Sequence, residues 1–202
     1  MLGFNLNKHI REFQRYIRNF QYEVSPRGIY FAKAKALMGG TYTHWVTGYE
    51  SEMASVHNII PDEGLNHMLG VALKSASQIT SWYLMLHSGS GTPAASLTAA
   101  NYNSTLTEIT SGAEGYSEAT RVAWAGDAVD TVNTEVTNDA TPAAFTIVTA
   151  TSLAVNGAGL VSVSTKGSTS GTLISAGKFG STRTLSNTDV FNLKYKVDLD
   201  AA

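Results

Sequence analysis

Val190-Phe-Asn-Leu-Lys-Tyr-Lys-Val-Asp-Leu199 decides how this chain is read. Leu193, Tyr195, Val197 and Leu199 alternate with Lys194, Lys196, Asp198 and Asp200. A strict period of two puts the two sets on opposite faces of a β-strand, one toward a core and one toward water. Working back from it, the same period marks strands at Ile79–His87, Leu106–Ile109, Ala119–Ala125, Val132–Val136, Ala144–Thr151, Leu160–Ser164 and Leu173–Phe179. Gly, Ser, Asn and Asp turns split them. Parallel strands need long crossovers, usually helical, and none is legible here. The spacing therefore predicts a mainly β chain, an antiparallel β-sandwich of jelly-roll type.

Upstream the signals are mixed. Ile29–Leu37, Thr41–Tyr49 and Met53–Ile60 read as three strands, with a turn at Gly39-Gly40 and a polar break at Glu50-Ser51. The Ala-rich Phe31–Met38 also suits a helix. Pro61-Asp62-Glu63 supplies a helix-starting proline and acidic first-turn residues, followed by Leu65, Met68, Leu69, Ala72 and Leu73 at helical spacing. A short helix is expected over Pro61–Ser75.

Residues 7–24 carry Ile10, Phe13, Ile17 and Phe20 three to four apart, with Arg11, Arg15 and Arg18 on another face, which predicts an amphipathic helix. Pro26-Arg27-Gly28 then acts as a stop and hinge. Two domains of unequal kind follow: an arm over 1–40 and a sandwich over 41–202. Those seven side chains are the candidate partner-binding residues. An isolated helix of this length is marginal in water, so its apolar stripe needs a protein surface. Three arginines also suit phosphates, but equally a solvent face, so nucleic-acid contact is secondary.

Composition narrows the function classes. Of 202 residues 43% are hydrophobic but only 15% charged, well under the usual quarter, so Ser, Thr and Asn must keep the surface wet. A surface so poor in charge suits a protein packed against neighbours. Residues 1–37 hold seven basic and two acidic groups, net +5, and the remainder nets −7. A basic arm on an acidic body fits docking onto an acidic surface. Cysteine is absent, which removes disulfides and thiolate metal sites. No run approaches about 18 uninterrupted apolar residues, so no membrane contact is expected. The first residues lack the apolar core of a secretory leader.

Catalytic and ligand motifs are sparse. Ser88-Gly-Ser-Gly-Thr lacks the Lys and following helix of a phosphate loop and reads as a plain loop, as does Lys166–Thr172. His9, His44, His57, His67 and His87 are scattered, with neither zinc spacing nor a serine elbow. Asp127, Asp130, Glu135 and Asp139 lack calcium-loop spacing and read as a hairpin end. Asn103-Ser104-Thr105 matches a glycosylation acceptor by chance. Trp45, Trp82 and Trp124 lie in apolar runs and are expected in the core. No nucleophile, base and orienting group are legible together, so the expectation is a non-enzyme with no cofactor and no metal.

The run from Asn58 to Leu86, with Pro-Asp-Glu-Gly-Leu-Asn-His-Met-Leu69 followed by Thr80-Ser-Trp-Tyr-Leu-Met-Leu86, resembles a family of small virion structural proteins of short-tailed bacteriophages. Gly115–Trp124, Ala158–Val161, Ser170–Phe179 and the Val190–Leu199 strand extend the resemblance over about residues 41–200. It implies a β-sandwich that decorates or cements the capsid, with the major capsid protein and neighbouring copies as partners and the virion as location, made in the host bacterial cytoplasm. It carries over no catalytic residue, and the arm is an addition to the pattern. Two other readings stay open: a collar, tail-adaptor or fibre protein of the same particle, and a carbohydrate-binding module. The last needs an exposed aromatic platform.

Overall fold

The computed structural model describes residues 22–24, 30–32, 36–130 and 132–201. The chain divides into two compact units, residues 1–37 with 200–202, and residues 38–199. In the first, β1 (Tyr22–Val24) pairs antiparallel with β2 (Tyr30–Ala32), Val24 opposite Tyr30. Tyr and Val are strand formers, and here they overrule the helix expected to run through residue 24. The rest of that helix, with Ile10, Arg11, Phe13, Arg15, Ile17, Arg18 and Phe20, lies outside the described residues.

The larger unit is a sandwich of two antiparallel sheets. β3 (Ala36–Val46), β4 (Ala54–His57), β6 (Gly115–Tyr116), β9 (Ala143–Val148) and β12 (Val190–Ala201) form one in the order β4-β3-β12-β9-β6, and β8 (Glu135–Val136) pairs with β12. β5 (Trp82–His87), β7 (Val122–Trp124), β10 (Leu153–Val161) and β11 (Leu173–Leu185) form the other in the order β11-β10-β5-β7. Two helices interrupt the strands: α1 (Asp62–Leu73) and the one-turn α2 (Tyr102–Leu106).

The core lies between the sheets. Tyr42, Phe145, Ile147, Phe191, Leu193 and Tyr195 from one meet Leu84, Leu86, Ala158, Leu160 and Phe179 from the other. The inward set on β12 is the one its alternation marks, except that Leu199, at the far end, is half exposed. The outer face of the smaller sheet is covered too: Met85, Val161, Leu173 and Ala176 pack under Leu97, Ala99, Tyr102 and Leu106. A sheet covered on both faces needs apolar residues at consecutive positions, which is why β5 reads Trp-Tyr-Leu-Met-Leu with Leu84, Met85 and Leu86 all buried.

Several boundaries differ from expectation, two of them at closely packed glycines. Gly39-Gly40 lies inside β3, not at a turn. A Cβ on Gly40 would come within 2.6 Å of the Tyr195 hydroxyl and 2.8 Å of the Lys196 carbonyl. Gly157 lies inside β10, where a Cβ would meet the His87 ring and the Gly177 carbonyl. β10 therefore begins at Leu153, seven residues before the expected start, and β11 runs on to Leu185. At 106–109 the expected strand reduces to one bridge, His87 with Glu108, because Leu106 closes α2.

Candidate interaction surface

α1 starts as expected, with Asp62 and Glu63 in its first turn. Glu63 turns inward and its Oε2 accepts the backbone N–H groups of Ala99 at 2.8 Å and Leu173 at 2.7 Å. Gly64 lets the helix backbone lie directly on β11, since a Cβ there would stand 2.9 Å from the Ile174 carbonyl. The helix is thus anchored at its first turn. Ser75, with φ of 57°, breaks it off at the other end.

Beyond the first turn α1 is apolar nearly all round: Leu65, Met68, Leu69, Val71, Ala72 and Leu73, with only Asn66 and His67 polar. Met68 packs on the sandwich core, but Leu65, Leu69 and Leu73 point outward, 40%, 57% and 74% exposed. A helix apolar on every side is ordinarily covered on every side. Between α1 and the sandwich opens an apolar cleft of about 260 Å³, walled by Met68, Val71, Ala72, Trp82, Trp124 and Val197.

Trp82 and Trp124 are cleft walls at the edge of the core, which corrects their expected place inside it. Trp82 and Trp124 stand opposite each other on β5 and β7 and are only half buried. Trp124 Nε1 donates to the Tyr195 carbonyl at 3.1 Å, and His67 meets Trp82 edge-on with ring centroids 6.0 Å apart. Tyrosines fill the centre instead. Burial pushes the Tyr42 hydroxyl far above its ordinary pKa and that of Tyr195 up to about 12, so both stay neutral. Tyr42 pairs with Ser175, and Asn58 Nδ2 donates to the Tyr195 hydroxyl at 3.1 Å.

The other sequence candidates are structural. Gly89 presses against the Leu106 carbonyl and donates to it at 2.7 Å, so the Ser88–Thr92 loop is tied to α2 and its N–H is committed. Lys166–Thr172 is a loop held by a buried ion pair: Arg121 Nε and Nη2 donate to Glu108 Oε1 and Oε2 at 2.8 and 2.7 Å. Arg121 also donates to the carbonyls of Val163 and Ser168, and Gly167 N–H donates to Glu108. In the acidic run, Asp130 accepts the N–H groups of Val132 and Asn133, Asp127 accepts that of Ala140, and Glu135 and Asp139 pair with Lys196 and Lys194. It is a hairpin end. Asn103 sits in α2, its side chain accepting the Glu108 N–H.

Among the described residues the histidines do not converge, and no three His, Cys, Asp or Glu side chains are grouped to hold a metal. His44 is buried between Phe179 and Phe191. Arg183 Nε donates to its Nδ1 at 3.2 Å, which requires a neutral ring protonated on Nε2. Burial first, and the Arg183 charge second, lower its pKa to about 4. His87 is buried edge-on to Tyr102, and burial lowers its pKa as well. Trp45 is half buried with the Lys194 ammonium 5.6 Å from its ring. No helix among the described residues is long and apolar enough to cross a membrane. The α1 surface is what sequence reasoning missed. Its signal is present in the sequence, because Gly64–Leu73 holds too many apolar residues for one buried stripe. Compared with known protein families and with curated proteins, the chain matches none.

Proposed function

We propose that this chain is a non-catalytic structural protein of a bacteriophage particle, a cement or decoration protein that binds and stabilises the capsid shell. The observation that carries the reading is the apolar surface of α1 and its cleft on a low-charge sandwich. Exposed apolar surface of this kind marks a protein interaction site. The resemblance of residues 41–200 to virion proteins supplies the partner, the major capsid protein, with copies of the chain as neighbours on the shell. The mechanism is mechanical. A ligand that binds the mature shell and not its dissociated subunits stabilises the shell by linkage. The arm, with Ile10, Phe13, Ile17 and Phe20, acts as a clamp on an adjacent subunit. Those four side chains contribute roughly 1.5–3 kcal/mol each when buried, against about 0–1 for surface pairs of Arg11, Arg15 and Arg18.

Co-sedimentation with shells of the major capsid protein tests this. The full chain is expected to pellet with shells and raise their disruption temperature, and deletion of residues 1–27 to weaken binding strongly. Absence of shell binding by the full chain would sink the cement reading. Undiminished binding by the deletion would sink only the clamp.

A further inference from the structure

We propose that the outer face of α1 is the contact between two copies of this chain, the two helices packing antiparallel about a two-fold axis at Leu69. A two-fold contact uses the same patch twice, so the patch must be complementary to itself. The leucine stripe meets that condition. Leu65 and Leu73 lie four residues to either side of Leu69, about 6 Å along the axis. Antiparallel helices centred on Leu69 therefore set Leu69 against its own copy and each Leu65 against the other copy's Leu73.

Charge selects the same orientation. Asp62, in the first turn, and Lys74, just past the last, are both exposed. Antiparallel packing brings each Asp62 toward the other copy's Lys74 and sets each helix's positive end beside the other's negative end, whereas parallel packing would set Asp62 against Asp62 and Lys74 against Lys74. The anchored side of the helix fixes which face is presented. Glu63 and Gly64 hold α1 to the body, so Leu65, Leu69 and Leu73 cannot roll inward. Exposure rises along the stripe, from 40% at Leu65 to 74% at Leu73, so the freest leucine of one copy meets the most sheltered one of the other. A stripe this short falls below the area of a permanent dimer, so reversible association at micromolar or higher concentration is expected. Copies held side by side on a surface would associate more readily, because tethering raises their effective concentration.

This inference does not depend on the shell reading, because no shell enters its test. The full chain contains no cysteine, so single cysteines report geometry directly. Under mild oxidation Leu69→Cys is expected to form a disulfide-linked dimer at least tenfold faster than Leu65→Cys or Leu73→Cys alone. A mixture of Leu65→Cys and Leu73→Cys is expected to form the mixed dimer. Sedimentation equilibrium up to several hundred micromolar is expected to show a monomer–dimer equilibrium, abolished by Leu69→Asp. Asp62→Lys should weaken it, and the swap Asp62→Lys with Lys74→Asp should restore it. Circular dichroism of each variant confirms that the exposed substitutions leave the body folded. A chain that stays monomeric throughout would overturn the proposal. So would Leu73→Cys linking to itself as fast as Leu69→Cys, or a trimer.

Discussion

The middle of the sandwich and its α1 end use similar side chains to opposite effect. In the middle, large rings pack on one another: Tyr42 and Tyr195 stack tilted at 4.6 Å, Tyr116 meets Phe145 edge-on, and His44 lies on Phe179. At the α1 end, Trp82 and Trp124 are half buried along an open cleft, and three leucines face outward. Closed packing buries these side chains against one another, so the middle specifies the fold. The open end adds little to the fold and offers apolar area to something else.

The sharpest way to break that contrast is to open the closed region. Arg121 and Glu108 are about 2% and 1% exposed and share two hydrogen bonds. Removing one member leaves the other charge buried without its counterion, which costs roughly 3–5 kcal/mol. Arg121→Ala is expected to lose that much in urea unfolding. Arg121→Leu with Glu108→Leu should recover only part, because the Val163 and Ser168 carbonyls and the Gly167 N–H lose their partners as well. A loss below 1 kcal/mol for Arg121→Ala would mean that the pair does not hold this region.

Acid probes the same interior more gently. His44 is protonated at about 4 when folded but near 6.5 when unfolded. Between those values the unfolded chain binds the extra proton, so stability is full above about pH 6.5, falls as pH drops toward 4, and loses nothing more from this group below that. Allowing for solvent screening, the loss is roughly 2 kcal/mol. His87, also lowered, acts in the same direction. Urea midpoints at pH 7 and pH 4.5 should differ accordingly, and His44→Phe should flatten the difference. An unchanged pH slope in His44→Phe would show that His44 is not the sensor.

How far these features could be read from residues alone depends on which contacts are local. The alternation of Leu193, Tyr195 and Val197 records directly which side of β12 is buried, and the start of α1 is written in Pro61-Asp62-Glu63. Glycine was the misleading residue, since Gly40 and Gly157 are small because Tyr195 and His87 from distant elements press on them, not because the chain turns. The same non-locality hid the core aromatics. Tyr42 and Tyr195 are buried because Ser175 and Asn58 answer their hydroxyls across more than 130 residues of chain. The outward leucines of α1 share one helical spacing with Met68, and the fold separates them, Met68 on the core and the leucines outside it.

The smallest effect tests the open end. A tryptophan in a closed core costs roughly 3–5 kcal/mol when truncated to Ala, through lost burial and the cavity left behind. Trp82 faces a cleft that already exists, so its removal widens an opening instead of creating a void, and about 2 kcal/mol is expected for Trp82→Ala. Trp124→Ala should cost somewhat more, because its Nε1 also serves the Tyr195 carbonyl. Leu69→Ala, already 57% exposed, should fall within about 0.5 kcal/mol of the parent. Measured together by urea unfolding, the three variants should rank Trp124, Trp82, Leu69. A Leu69→Ala cost equal to that of Trp82→Ala would show that α1 belongs to the closed core, and the distinction between the two ends of the molecule would fail.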